Sequence, residues 1–370
     1  MANTHNLFEE YNREIKLDGD RRGLLKVRRD DLRSRIKGGF RELKQEKQLL
    51  LEGLNITIEE EMEFQSQGSY VMDTIINPSR KEDEYDIDDG VYFMGSRDRY
   101  SRPDPEAFHE FVIQSIKKGE SKNTIEEIED RSTCVRVKYK GVNGDFNYHV
   151  DLPIYYAINV KEPDLADTKD GWYTSNPIEF IVWFEDLVQS GFKAEFILES
   201  KFFEEEYKEW LNDRRKADHQ LRRIVRYLKA WGDHLKGDMP PGVVMTILAG
   251  SDSNFAGGDR DDVALRDTLV NIKNWLELNG FKCPRPTTPK GEDLFRGYSD
   301  EKKEYFRNVL NSFITSANQA LENPNQKDAS LKWQKHLGSR FPTHLAKDEI
   351  EGAKTYLASP VIKSNNSRSA

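Results

Sequence analysis

The sequence predicts an α+β protein in which a lobe built on a mixed sheet precedes a lobe built from helices. Two β-prone runs, residues 131–139 and 146–156, are joined through Asn143-Gly144, which is a strong hairpin signal. Helical patterns take over after Asn176-Pro177, where Asn can cap a helix and Pro suits the first helical position. A sheet therefore comes first along the chain and the helices follow it.

These shifts in pattern also predict the division of the chain. We expect a first lobe over residues 1–165, which includes a long N-terminal helix, and a helical lobe over residues 166–340. Residues 341–370 become sparse in apolar groups and are expected to be a C-terminal segment with a mobile tail. The cleft between the two lobes is the expected active site.

Periodicity defines the elements of the first lobe. Apolar residues recur near helical spacing over residues 7–50, which fits either a helix that braces both lobes or an ordinary amphipathic core helix. A helix that follows the Gly68-Ser69 turn should end before Asn77-Pro78, because a residue that precedes Pro disfavours helix. The same patterns predict a strand at 54–65, a short helix at 70–76, a strand at 86–94 and a helix at 103–118.

The second lobe is predicted to be helical throughout. A polar stretch at 164–172 is expected to be a loop between the lobes, and residues 250–262 are expected to be a flexible connection. Helical spacing of apolar residues predicts helices at 178–190, 194–213, 215–235, 241–249, 260–279 and 300–321.

Composition limits the class of protein. The 370 residues are 36% hydrophobic and 33% charged, which is typical of a folded globular protein, and no apolar run reaches the roughly eighteen residues of a membrane span. The net charge of −9 argues against general binding to a nucleic-acid backbone. The two cysteines, Cys134 and Cys283, are far apart in sequence and are expected to be free thiols in the cytoplasm.

The richest motif is a pair of carboxylates on a predicted strand. Asp86 and Asp88 are two positions apart, so a strand directs both side chains to the same face. The adjacent Asp89 has the opposite phase and is expected not to bind the same ion. Asp151 lies on a later apolar strand, and the Asn143-Gly144 hairpin can bring that strand beside the first one. The three carboxylates together predict a metal site.

A Gly-Ser turn lies shortly before the carboxylate pair. Gly68 and Ser69 can offer backbone N–H groups and a hydroxyl to a phosphate. A phosphate-binding turn beside three carboxylates that hold two Mg²⁺ ions, with Mn²⁺ as the alternative ion, is what metal-dependent nucleotidyl transfer requires. One ion would activate an attacking hydroxyl, and the other would bind the triphosphate and its pyrophosphate leaving group.

The motif set resembles a known family. Residues 84–93 have the sequence EYDIDDGVYF and residues 149–153 have the sequence HVDLP. Together with Gly68-Ser69 they resemble the cGAS/DncV-like nucleotidyltransferases of bacteria, or CD-NTases, which belong to the polymerase-β nucleotidyltransferase superfamily. The resemblance covers residues 20–340. It implies a two-lobed enzyme of CBASS anti-phage defence that joins nucleoside triphosphates, ATP among them, into a cyclic di- or trinucleotide second messenger.

The resemblance also implies roles for individual residues. Gly68 and Ser69 match the turn that holds the triphosphate, and Asp86, Asp88 and Asp151 match the metal carboxylates. Lys229, which precedes Trp231 in a helical stretch, matches a lysine that reaches the phosphates. Family members often place a serine on the next helix, where this chain offers Gly242 or Thr246 instead.

Lys229 also belongs to a basic stripe that the sequence itself predicts. Arg222, Arg226 and Lys229 are spaced by four and three residues and so share one face of a helix. We expect this stripe to face the acidic site and to balance the charge of the triphosphate. His149 has the phase of Asp151, and a packed or hydrogen-bonded role is expected for it.

Other functions stay open at the level of sequence. One is a template-independent nucleotidyltransferase that acts on RNA or protein, and another is an inactive regulator that keeps the fold and binds nucleotides. The resemblance further implies two partners, an effector reached through the product and a CBASS ligase that acts on the C-terminus. A frayed end is the simpler interpretation of that terminus.

Overall fold

The computed structural model describes residues 2–45, 61–121, 123–159, 162–189, 217–251 and 254–347. Several predictions fall wholly or partly outside these ranges: residues 46–50 of the first helix, residues 54–60 of the first strand, the helix at 194–213, and the tail from residue 348.

The N-terminal helix predicted at 7–50 is two helices, α1 (His5–Ile15) and α2 (Gly19–Gln45). The prediction of one helix is wrong because the chain becomes extended at Lys16, which forms a β-bridge with Ile76. The amide of Asn77 also donates to the Ile15 carbonyl at 2.7 Å. The break therefore ties α1 to the segment that follows the Gly-Ser turn.

Among the described residues, seven strands form a mixed sheet in the first part of the chain. The central strands β2 (Tyr85–Met94) and β5 (Tyr148–Ala157) are parallel, and the other pairings are antiparallel. Five strands follow the order β1-β2-β5-β4-β3, and β5 also pairs with β6, which pairs with β7. The other strands are β1 (Glu61–Gln67), β3 (Glu127–Arg131), β4 (Cys134–Tyr139), β6 (Pro163–Asp167) and β7 (Gly171–Thr174).

The predicted hairpin is confirmed. Strands β4 and β5 pair antiparallel, and the connection between them places Asn143 at φ 54° and Gly144 at φ 81°. Asn and Gly are the residues that tolerate this left-handed conformation best. The hairpin brings β5 beside β2, so that Asp88 lies opposite Asp151 in the parallel register.

Two predictions about local structure are wrong. The segment 164–172 is not a loop, because β6 and β7 form an edge hairpin there in which Leu165 pairs with Tyr173. Its polar composition reflects an edge strand and a tight turn at Gly171, which has φ +81°. The helix expected at 70–76 is a single turn, α3 (Gly68–Val71), because Asp73 adopts a left-handed conformation with φ 55° and ends it.

The remaining helices agree with the periodicity. The Asn176 side chain caps α5, since its Oδ1 accepts hydrogen bonds from the Ile178 and Glu179 amides at 3.1 and 3.0 Å. The segment 326–337 forms a helix whose bounds the sequence did not predict. In chain order the helices are α4 (Pro105–Lys118), α5 (Pro177–Val188), α6 (Gln220–Leu235), α7 (Gly242–Gly250), α8 (Asp261–Leu278), α9 (Asp300–Glu322) and α10 (Gln326–Leu337).

Helix α1 packs against the C-terminal helices rather than on the sheet. The Phe8 ring lies 5.0 Å from the Trp333 ring and 5.1 Å from the Phe341 ring, and Tyr11 donates to the Leu337 carbonyl at 2.7 Å. Both cysteines are buried free thiols, as expected. Within the described residues, no helix combines the length and apolar character needed to cross a membrane. The lobe boundaries at 165 and 340 stay a prediction.

Candidate active site

Strand β2 directs its two alternating carboxylates into one cavity. Asp86 and Asp88 are both half-buried and line a cavity of about 580 Å³ between the sheet and the helices. Asp89 points away from them, because its carboxylate pairs with Arg33 at 2.6 Å and accepts from the Ser66 hydroxyl at 2.8 Å. The phase predicted for these three residues is therefore confirmed.

The neighbouring strand supplies Asp151. Its buried carboxylate is held by Arg136, whose Nε and Nη2 donate to Oδ1 and Oδ2 at 2.7 and 2.8 Å. Ligand atoms of Asp86, His149 and Asp151 all lie within 4.8 Å of one another. Asp88 is not part of this group, and its Oδ2 instead approaches Gly68. Asp86 and Asp88 therefore line the cavity, and Asp151 and His149 lie beside Asp86 on the neighbouring strand.

The clustered carboxylates of Asp86, Asp88 and Asp151 repel one another. Burial raises the pKa of Asp86, and although His149, Lys229 and Arg136 oppose this change, the neighbouring Asp151 adds to it. Burial likewise raises the pKa of Asp88 well above its ordinary value, and the charges of Asp86 and Asp151 add to the effect. Like-charged carboxylates at this distance are stabilised by a cation. Clustered carboxylate oxygens are also the donors that Mg²⁺ and Mn²⁺ prefer, so the residues fit a divalent ion.

The Gly-Ser turn borders the carboxylates. Gly68 has φ +68° and begins the single turn α3, and both Gly68 and Ser69 line the cavity. A Cβ atom placed on Gly68 would lie 2.0 Å from Asp88 Oδ2. Only glycine therefore fits this position, for reasons of conformation and of space.

Lys229 of α6 reaches the same cavity from the opposite wall. Its Nζ donates to the carbonyl and to the hydroxyl of Thr74, each at 3.2 Å. Burial lowers the pKa of Lys229 to about 8, although the charges of Asp86 and Asp88 oppose this change. The structure thus brings Lys229 and the carboxylates together, as the sequence predicted.

The rest of the basic stripe does not face the cavity, so that part of the expectation is wrong. Arg222 donates to the Met72 carbonyl at 2.5 Å and pairs with Glu185. Arg226 donates to the Asp73 carbonyl and pairs with Asp218. The spacing correctly placed these side chains on one face of α6, but that face is covered by the segment after the Gly-Ser turn.

Helix α7 begins at the cavity wall. Gly242, its first residue, and Thr246 both line the cavity, and the Thr246 hydroxyl donates to the Gly242 carbonyl at 2.9 Å. A Cβ atom on Gly242 would lie 3.0 Å from Cε of Lys229. Either residue can take the place of the expected serine, and that assignment stays a proposal.

Sequence reasoning missed several residues of the cavity. Glu84 lines the cavity, and its Oε2 lies 2.9 Å from Nδ1 of His149. Tyr155 both lines the cavity and stacks on Tyr92, with 4.7 Å between the ring centroids. The position of Glu84 just before the paired aspartates was the available signal. No local pattern marked Gln67 or Arg285, which also line the cavity.

Comparison with known proteins agrees with this geometry. Residues 62–155, which span the Gly-Ser turn and all three aspartates, match the family described as the nucleotidyltransferase domain of cyclic GMP-AMP synthase DncV-like proteins. This part of the chain matches the cGAS/DncV-like nucleotidyltransferases. The resemblance inferred from the motifs is therefore confirmed over residues 62–155.

The curated relatives of this chain are distant. A cyclic GMP-AMP synthase from Escherichia coli (strain TW11681) is 27% identical over 239 residues, which cover 58% of this chain and 48% of the relative. A cyclic GMP-AMP synthase from Escherichia albertii is 27% identical over 172 residues, which cover 46% of this chain and 32% of the relative. The matched part of the chain thus spans about half, or less, of these relatives.

Solved structures share the fold over nearly the whole chain. The GTP-bound DncV of Vibrio cholerae superposes with a TM-score of 0.69 at 17% identity and covers 92% of this chain and 96% of its own. The 3′-deoxy-GTP form of Escherichia coli DncV gives a TM-score of 0.64 at 19% identity, covering 89% and 93%. The α+β nucleotidyltransferase fold, with its mixed sheet and helical part, is therefore confirmed.

Proposed function

We propose that this protein is a cyclic oligonucleotide synthase that joins nucleoside triphosphates, ATP among them, into a cyclic di- or trinucleotide. One observation carries the proposal: Asp86 and Asp88 line a single cavity with the Gly68-Ser69 turn and with Lys229, and Asp151 lies beside them on the neighbouring strand. The family supports the same activity, because its matched relatives are named cyclic GMP-AMP synthases. A related Vibrio cholerae structure holds the linear intermediate 5′ pppA(3′,5′)pG.

Each group in the cavity has a role in this proposal. The three aspartates would hold two Mg²⁺ ions, or Mn²⁺, and these ions would supply positive charge for activating the attacking hydroxyl and for stabilising the leaving pyrophosphate. Arg136 fixes the orientation of Asp151, which we assign to the side of the attacking hydroxyl. Gly68, Ser69 and Lys229 hold the triphosphate. The protein acts by positioning and by charge stabilisation, and a second attack within the cavity closes the ring.

The biological setting follows from the same proposal. We place the enzyme in the cytoplasm, where free thiols persist and nucleotides are available. Its product would activate an effector in CBASS anti-phage signalling. A CBASS ligase would act on the C-terminus, a segment that lies outside the described residues.

The test is incubation with Mg²⁺ and all four labelled triphosphates, then phosphatase treatment and mass spectrometry. The expected result is a phosphatase-resistant species with the mass of a cyclic di- or trinucleotide. Asp86→Asn combined with Asp88→Asn should abolish that species while the fold is retained. Asp300→Asn, at an exposed residue on α9, is the control and should leave the yield unchanged.

Other outcomes identify the alternatives. Label transferred to added RNA or protein, without a cyclic product, would indicate a template-independent transferase. Nucleotide binding without turnover would indicate a regulator. A double variant that still makes the cyclic product would contradict the assignment of Asp86 and Asp88.

A further inference from the structure

We propose that His149 is itself a ligand of the divalent ion, through Nε2, so that the site has mixed nitrogen and oxygen donors. The inference extends the metal site of the proposed function, but it concerns ion binding and can be tested without nucleotide. It rests on the position of the imidazole ring and on the partners of its two nitrogens.

The fold places His149 among the carboxylates for a simple reason. His149 and Asp151 are two residues apart on β5 and therefore share a face of the sheet. His149 also lies opposite Asp86 in the parallel pairing of β2 with β5. The ring is held there in the interior, since the residue is only 7% exposed.

One ring nitrogen is already engaged by a carboxylate. His149 Nδ1 lies 2.9 Å from Glu84 Oε2, and because a carboxylate can only accept, Nδ1 carries the hydrogen. In the neutral imidazole Nε2 is then the acceptor, and it lies 3.8 Å from Asp151 Oδ2. Two acceptors at this distance do not bond each other, but they are suitably spaced to share a cation.

This is the arrangement found around histidines that bind metals. A ligating imidazole usually donates its other N–H to a carboxylate, which fixes the ring and raises the basicity of the free nitrogen. Glu84 does this for His149, and Arg136 orients the neighbouring Asp151. Ligand atoms of Asp86, His149 and Asp151 lie within 4.8 Å of one another, close enough to surround one ion.

A nitrogen donor changes which ion the site prefers. Mg²⁺ favours oxygen ligands, whereas imidazole favours later first-row ions. A site with two carboxylates and an imidazole should therefore bind Mn²⁺ more tightly than Mg²⁺. A site made of carboxylates alone would discriminate less between them.

The chain provides a matched control for the test. His109 is also buried, and its Nδ1 also bonds a carboxylate, that of Asp130, at 2.7 Å. Its Nε2, however, lies 3.3 Å from the Ala166 carbonyl and not among acidic groups. His109→Asn therefore removes a similar ring without touching the proposed site.

The experiment is electron spin-echo spectroscopy of the full chain with substoichiometric Mn²⁺ and no nucleotide. Coupling of the ion to an imidazole nitrogen is expected in the wild type and in His109→Asn, and it should be absent in His149→Asn. Glu84→Gln, which leaves the ring in place, should weaken Mn²⁺ binding by roughly 10-fold in a titration. It should lower the preference for Mn²⁺ over Mg²⁺ as well.

A Mn²⁺ spectrum without imidazole coupling in the wild type, or with equal coupling in His149→Asn, would overturn the proposal. So would a Glu84→Gln variant that binds Mn²⁺ as tightly as the wild type. Synthesis of a cyclic product by a protein without imidazole coupling would refute this inference and leave the proposed function intact. Imidazole coupling in a protein that makes no cyclic product would support the His149 ligand and contradict the proposed function.

Discussion

Gly68 is the residue at which backbone conformation and the acidic site meet. Its φ of +68° belongs to the left-handed region, and its missing Cβ leaves room for Asp88 Oδ2. Burial raises the pKa of the Asp88 carboxyl well above its ordinary value, so its charge depends on where the carboxyl lies in the cavity. A glycine at this point therefore matters to the chemistry as well as to the turn.

Gly68→Ala should nearly abolish synthesis, because the new methyl group would have to displace the Asp88 carboxylate. The change should also lower the free energy of unfolding by about 1–2 kcal/mol through the left-handed conformation. Product yield and urea unfolding measure the two effects.

Gly144→Ala separates the two contributions. Gly144 also has a positive φ, +81°, but a Cβ there meets nothing within 4 Å. Gly144→Ala should therefore lose stability as Gly68→Ala does, but it should retain the synthesis activity of the wild type. Equal activity in the two variants would show that the contact with Asp88 has no importance.

At the scale of elements, three side chains of helix α6 donate hydrogen bonds to the segment that follows the Gly-Ser turn. Arg222, Arg226 and Lys229 donate in turn to the carbonyls of Met72, Asp73 and Thr74. One stripe of a helix thus meets three successive peptide units. The basic stripe identified in the sequence sets the position of the turn, and only its last member reaches the cavity.

We expect Arg226→Gln to loosen the turn, because it removes the middle contact of the three. Amide exchange at residues 70–74 should accelerate and nucleotide affinity should fall. Loss of a buried ion pair should also cost roughly 3–5 kcal/mol of stability. Arg226→Lys keeps the charge, so its amide exchange rate and its nucleotide affinity should lie between those of Arg226→Gln and the wild type. Hydrogen exchange with mass spectrometry, together with nucleotide binding, measures these changes.

Arg223→Gln is the control for that prediction. Arg223 lies on the same helix and pairs with Asp261 through two hydrogen bonds of 2.7 Å, so its loss is also destabilising. It does not contact the turn. Similar exchange at residues 70–74 in the two variants would mean that Arg226 contributes stability alone.

The elements also show what the sequence could predict. Alternation correctly separated Asp86 and Asp88 from Asp89, and Asn143-Gly144 correctly predicted the hairpin beside Asp151, because these signals are local. The orientation of Arg222 and Arg226 could not be predicted. Helical spacing defines a face of α6 but not the peptide carbonyls that a distant segment presents to it.

At the scale of the whole molecule, the helical part contains a histidine that should make stability depend on pH. His336 is only 4% exposed, its Nε2 lies 2.9 Å from the Ser316 hydroxyl, and its ring stacks on Phe313. Burial lowers the pKa of His336 to about 4. The unfolded chain therefore binds a proton that the folded chain does not bind between about pH 6.5 and pH 4.

Stability is thus retained above pH 6.5 and declines as the pH falls toward 4. The contribution of His336 to this decline should be roughly 1–3 kcal/mol. His336→Gln cannot take up the proton, so its unfolding free energy should change less between pH 7 and pH 4.5 in urea titrations. His344→Gln, at an exposed histidine, should follow the wild type. Parallel curves for His336→Gln and the wild type would contradict the prediction.

The packing of α1 has a consequence for the order in which the protein folds during its synthesis. Phe8 is covered by Trp333 and Phe341, and Asn12 of the same helix accepts a hydrogen bond from Arg226. Contacts between residues so far apart in sequence form late, because a long loop must close first. A ribosome must therefore deliver nearly all of the described chain before Phe8 of the first helix can be covered by Trp333 and Phe341.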